Sequence, residues 1–194
     1  MNAPVASIEV ERTASSDEFR AAMRRLTGGV SVITVGRGKD LTGMTVTSVS
    51  SLSVEPPTLV VSINRSASSW PMLKRDGCFG VNILNADQID IAERFSGKNG
   101  LKGAERFVGA EWSTCVSGVP LLKGALAAID CEVEEIIERY SHAIIVGRVL
   151  DVQVAMRGAA LAYWKGQYVA IDQGEDAIRL AEVSLPAVRG KYRR

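Results

Sequence analysis

GMTVTSVSSLSVEPPTLVVSIN, residues Gly43 to Asn64, holds two β-forming runs on either side of Pro56 and Pro57. The second run, Thr58 to Ile63, is apolar almost throughout and predicts a buried strand. The first carries hydroxyls at Thr45, Thr47, Ser48, Ser50, Ser51 and Ser53. Alternation with period two sends one set of side chains to each face of a strand, and a packed core has no use for so many hydroxyls. A strand edge that presents hydroxyls and unpaired backbone groups suits a flat polar ring whose donors and acceptors lie in a line. Ser62, Asn64, Ser66, Ser68 and Ser69 follow. The last four abut an expected helix start, where hydroxyls and exposed N–H groups suit an anion.

Working outward, Ser15-Ser16-Asp17-Glu18 reads as a capping-box start. Phe19, Met23 and Leu26 repeat at helical spacing behind it, with Gly28-Gly29 as the expected stop. Val30–Val35 and a run from Leu41 form a hairpin around Gly36 to Asp40. Ser66 to Asp76 predicts a short helix and Cys78 to Leu84 a buried strand. Asn85, with Gln88, is expected to cap a helix carrying Ile89, Ala92 and Phe95 on one face. Residues 96–124 are glycine-rich with few periodic runs and read as a long loop region, which in a compact domain is more often functional than inert. Leu126 to Arg139 and His142 to Val154 are two long strands turning near Tyr140-Ser141. Leu161 to Trp164 and Gln167 to Ile171 form a last hairpin, and Asp176 to Val183 is helical in pattern. Strands in hairpin order with helices inserted, rather than alternating, disfavour a doubly wound parallel sheet. They predict a mainly β chain: an antiparallel barrel with short peripheral helices. The expected organisation is an arm over residues 1–14, one domain over 15–172 and a C-terminal helix or tail over 173–194.

The chain has 194 residues, is 46% hydrophobic and 23% charged, and carries a net charge of +1. That balance gives no footprint for nucleic acid. Cys78, Cys115 and Cys131 are odd in number and lack CxxC spacing, so they form neither a disulfide framework nor a metal site. No secretory leader and no membrane span are read, which makes a cytoplasmic protein the expectation. The Gly-rich dinucleotide fingerprint and the P-loop are both absent. From the residues alone, ring edge followed by phosphate would suit a flavin nucleotide. The same Ser and Thr residues also suit ordinary strands and helix caps. His142 is the only histidine and the only side chain whose ordinary pKa lies near neutrality. It is either a ligand-orienting or proton-donating group or a satisfied turn or core residue.

The ordered set FRAAMRRLTGGVSVITV, GMTVTSVSSLSVEPPTLVVSI, FGVNIL, ERFSG, SHAIIVGRV and LAYWKGQYVAI, spread over residues 17–172, resembles the flavin reductase family of two-component flavin-dependent monooxygenases. It is similar to the reductase components of 4-hydroxyphenylacetate and phenol hydroxylases. The resemblance implies a split β-barrel of the FMN-binding type acting as a homodimer. It implies FMN or FAD as the flavin, NADH or NADPH as hydride donor, and a separate monooxygenase that receives reduced flavin. The segment Thr45, Val46, Thr47, Ser48 to Ser51 would run along the isoalloxazine ring. Ser62, Asn64, Ser68 and Ser69 would lie near the ribityl chain and phosphate, and His142 near the nicotinamide. Many members have Asn where this chain has Thr47. Two other readings use the same shell: a non-catalytic flavin- or haem-binding barrel, and an enzyme like pyridoxamine-phosphate oxidase.

Overall fold

The computed structural model describes residues 13–172. Most of the expected N-terminal arm and the whole of the expected C-terminal helix lie outside them. In chain order the elements are α1 (Ser16–Met23), β1 (Gly28–Gly29), β2 (Ser31–Arg37), β3 (Asp40–Val46), β4 (Ser50–Ser53) and β5 (Thr58–Asn64). Then come α2 (Trp70–Asp76), β6 (Cys78–Ile83), α3 (Ile89–Phe95), a 3-10 turn (Gly103–Phe107), β7 (Trp112–Thr114) and β8 (Pro120–Leu122). The last four are β9 (Ala127–Arg139), β10 (His142–Val154), β11 (Ala160–Trp164) and β12 (Gln167–Ile171).

Seven strands make one sheet in the order β3-β2-β6-β9-β10-β5-β4, and every neighbouring pair is antiparallel. The long β9–β10 hairpin is its spine. Alternation explains the burial. Leu59, Val61 and Ile63 of β5, Ala143 and Ile145 of β10, and Phe79 and Val81 of β6 point to one side and form the main core with Ile33 and Val35. Strand β2 is buried on both faces as far as Gly36, which fits a sequence that carries no charge before Arg37. Its other face, through Val30 and Val32, meets Ile91, Ala92 and Phe95 of α3 in a second core. There Phe95, Phe107 and Trp112 stack with centroids 4.7–5.7 Å apart. Gly43 permits this contact, since a Cβ there would lie 2.9 Å from the Phe95 ring.

The capping box at Ser15 and Glu18 forms, yet α1 buries none of its side chains. Gly28-Gly29 is not the helix stop expected. The helix ends at Met23, and the two glycines pair as β1 with Tyr163 and Ala162 of β11. Glycine is a poor strand former, so the pairing is imposed from β11. Gly28 is small for a steric reason: a Cβ would sit 2.9 Å from Thr47 Cβ. Residues 96–124 are also more ordered than their composition suggests. They hold the 3-10 turn and a β7–β8 hairpin, fastened from outside. Buried Asn82 donates to Val32 O and accepts from Leu122 N, and Thr34 Oγ1 donates to Pro120 O at 2.5 Å. The helix expected from Ser66 begins only at Trp70, and α3 is entered through Gln88 with no side-chain cap. Asn85 serves the approach instead: its N–H donates to Gln88 Oε1 and its Oδ1 accepts from Ala86 N.

Candidate functional site at the split

The free edges of the large sheet are β3 and β4, and only residues 47–49 separate them in the chain. A link from Val46 to Ser50 reaches at most about 14 Å. The sheet must therefore curl until its two edges nearly meet, and the gap lies where the hydroxyl-rich segment runs. The β3 and β4 edges do not pair with each other, so the barrel stays open along one seam.

Side chains complete some of the missing pairing. Ser48 Oγ donates to Ser62 O at 2.8 Å, carrying the β4–β5 ladder one step further. On the other edge the Arg106 guanidinium donates to Gly43 O. Thr47, Ser48 and Ser51 are exposed at or beside the seam, whereas Val46 is half-buried against the main core. Thr45 faces the opposite way, its hydroxyl donating to Ala92 O at 2.6 Å. On the outer face of β5, Ser62 stands opposite Ile144 and Asn64 opposite His142. Asn64 Oδ1 accepts from both the N–H and the hydroxyl of Ser66, each at 2.9 Å. His142 is exposed, with Nδ1 at 2.8 Å from Ser141 Oγ. The seam, Ser62, Asn64 and His142 thus form a polar track across β4, β5 and β10.

Ser68 and Ser69 part company. Ser69 is fully buried with its hydroxyl against Met44 Sδ. Ser68 opens onto a cleft of about 390 Å³ outside the β3 edge, shared with Thr42, Lys102 and Arg106. Two features of this cleft escape a sequence reading. Arg106 is 9% exposed and no carboxylate pairs with it among the described residues; burial holds its pKa below the ordinary value. It is retained by carbonyls, Leu101 O at 2.9 Å and Gly43 O. Thr42 Oγ1 is buried and has no hydrogen-bond partner. A desolvated cation beside an unpartnered hydroxyl and a lysine suits an anion. At the rim, the carboxylate of Asp40 is held by Arg75 at 2.9 Å. The only advance signal was the glycine-rich character of residues 96–124; Arg106 itself looks like a surface arginine in a short polar helix.

The thiols offer no alternative chemistry. Burial pushes Cys131 up to about 12 and raises Cys78 as well, and the Asp151 carboxylate beside Cys115 raises that thiol. Among the described residues no His, Cys, Asp or Glu group could hold a metal ion, and no helix is long and apolar enough to cross a membrane.

Comparison with known proteins gives a consistent picture. A family profile described as "Flavin reductase like domain" matches residues 23–172. The FMN reductase (NADH) RutF of Stutzerimonas stutzeri is 40% identical over 152 residues, 78% of this chain and 86% of that protein. BorF, the flavin reductase component of a bacterial two-component tryptophan halogenase, superposes with a TM-score of 0.75 at 31% identity, over 81% of this chain and 99% of BorF. The NADH:FAD oxidoreductase SgcE6 of Streptomyces globisporus, solved with NAD and FAD fragments, gives a TM-score of 0.75 at 25% identity, over 87% and 100% of the two chains.

The orphaned hydroxyl yields a sharp expectation. Thr42→Val keeps the shape and removes the unpaired donor, so the ligand-free protein should gain about 1 kcal/mol in urea unfolding. A loss of stability would show that the hydroxyl has a partner already.

Proposed function

The chain belongs to the flavin reductase family, and we propose that it transfers a hydride from NADH to FMN or FAD and releases the reduced flavin to a separate oxygenase. The observation that carries the reading is the open seam. It leaves the β3 edge unpaired, with Thr47, Ser48 and Ser51 beyond its end and, further back along the same strand at Asp40 to Thr42, a cleft that holds a buried arginine with no carboxylate partner among the described residues. A flavin nucleotide needs both parts, a flat polar edge for its ring and a cationic pocket for its phosphate, and the residues present fit it. Arg106, Lys102, Thr42 and Ser68 would hold the phosphate. The seam from Val46 to Ser51, backed by Thr45, would run along the ring. Ser62 and Asn64 would face the ribityl side, with buried Ser69 setting the loop rather than touching ligand.

Bound flavin supplies N5 as acceptor for the hydride that leaves C4 of the dihydronicotinamide, with one proton taken from solvent. The chain's own work is positioning. Ser141 Oγ lies 2.8 Å from Nδ1 of His142, and in the tautomer where Ser141 donates, Nε2–H is left to donate to the hydride donor. Asn64, directly across β5, is tied to Ser66 and holds that end of the track rigid. Donor specificity follows the NADH named for the curated relatives. The three free thiols suit a reducing compartment, and the reading places the protein in the cytoplasm.

The same reading includes a homodimer. Val60, Ile144, Val146 and Ile137 lie on the outer face of the sheet, half-buried or exposed, with Ile144 at 41% exposure. A second copy would cover this apolar strip and wall the seam. Sedimentation should give a dimer at micromolar concentration; a fully active monomer would remove this part.

The purified protein with NADH and either flavin tests the activity, read as loss of reduced-nicotinamide absorbance; no turnover with either flavin sinks the reading. His142→Ala should raise KM for NADH or lower kcat by about twofold to a hundredfold, the cost of one lost hydrogen bond, with flavin affinity kept. Unchanged NADH kinetics would make His142 a turn residue only.

A further inference from the structure

A second cleft, also about 390 Å³, lies between α1 and the β11–β12 turn and reaches Thr47 at the seam. Leu26 and Tyr163 supply apolar surface, and Arg20, Arg24 and Lys165 supply cations. Arg20 is paired with Asp17 at 2.5 Å. Among the described residues, no carboxylate pairs with Arg24 or Lys165.

The walls are fastened together. Lys165 N donates to Arg24 O at 3.2 Å, and Trp164 Nε1 donates to Arg25 O at 3.2 Å. Lys165 sits at φ +50, uncommon for a residue with a Cβ, and its ammonium lies 4.3 Å from the Trp164 ring centroid. The turn therefore presents a positive group beside an aromatic face. Tyr163 is backed edge-on by Tyr168 at 5.3 Å, which steadies its ring. A steadied aromatic, an aliphatic side chain and two unpaired cations match a purine base followed by two phosphates. The volume falls in the range of small-molecule sites.

We propose that this cleft binds the adenosine diphosphate half of a dinucleotide, with its far end delivered to the seam at Thr47. Tyr163 and Leu26 take the base, and Arg24 and Lys165 take the diphosphate. The inference rests on the reductase reading for its purpose. Two substrates of that reaction carry such a half, NADH and FAD, whereas FMN carries none; the diphosphate of FAD includes the flavin phosphate, so NADH is the source that leaves the Arg106 cleft to the flavin.

Calorimetric titration with ADP-ribose tests the cleft without reference to turnover. Wild-type protein should bind it, more weakly as salt is raised. The double variant Arg24→Ala, Lys165→Asn should bind it about tenfold more weakly, as expected for lost charge-assisted contacts to phosphate. Asparagine tolerates the positive φ at 165, and an unchanged near-ultraviolet circular dichroism spectrum confirms folding. Lys123→Ala, a cation outside the cleft, should change nothing. Kinetics then distinguish the sources. A raised KM for NADH with FMN as acceptor assigns the cleft to the hydride donor. A raised KM for FAD, with those for FMN and NADH unchanged, assigns it to the flavin adenylate and moves the phosphate of bound FAD out of the Arg106 cleft. ADP-ribose that fails to bind wild type, or binds the double variant as tightly, overturns the proposal even if the protein reduces flavin briskly. An inert enzyme that still binds ADP-ribose through Arg24 and Lys165 sinks the reductase reading and leaves the cleft standing.

Discussion

Three residues between β3 and β4 constrain the whole sheet. A seven-stranded antiparallel sheet twists of its own accord, but twist alone does not bring its first and last strands together. The short link does. Once the edges are held within reach and yet unpaired, two rows of backbone groups remain to be satisfied, and an exposed edge invites pairing with another chain. Here the edges are dressed locally. Arg106 takes the Gly43 carbonyl, Ser48 takes the Ser62 carbonyl, and β4 is only four residues long.

The same constraint explains where charge is buried. Arg106 lies beside the β3 edge, and one of its donors takes the Gly43 carbonyl that a further strand's N–H would otherwise reach. Its desolvation is offset by carbonyl dipoles rather than by a carboxylate. A carboxylate would have neutralised the site for any incoming anion. Buried Asp130 shows the contrasting, structural use of charge. Both of its oxygens are occupied by the N–H and hydroxyl of Ser117, which fastens the approach to β8 onto β9 and leaves nothing for a ligand.

Much of this was legible in the sequence where the signal is local. The β2–β3, β9–β10 and β11–β12 hairpins follow from alternation and turn residues, and the capping box at Ser15 follows from spacing. What escaped was tertiary. Gly28-Gly29 has no strand propensity, and only the presence of β11 makes it a strand. The β7–β8 hairpin is too short to register a period and depends on Asn82, forty residues before Leu122. Thr42 belongs to an ordinary hairpin strand, and Arg106 to a short polar turn. Neither residue type reveals that one hydroxyl is left unpaired and one guanidinium loses its water. The hydroxyl-rich run did mark the seam, because six hydroxyls in one strand segment conflict with simple burial. It could not tell that Thr45 faces inward to a protein partner while Thr47 and Ser48 are exposed.

Helix α1 buries no side chain of its own, and Arg24 rides at its end. Most substitutions in a protein are limited by the stability they cost. Residues on α1 are nearly exempt, since the cores are assembled without them. Mutations there can accumulate without threatening the fold. Across descendants of such a chain, the charge pattern of this helix is therefore free to drift quickly while β2, β5 and β10 stay fixed. A single barrel can in this way change the charge it carries on this helix without passing through an unstable ancestor.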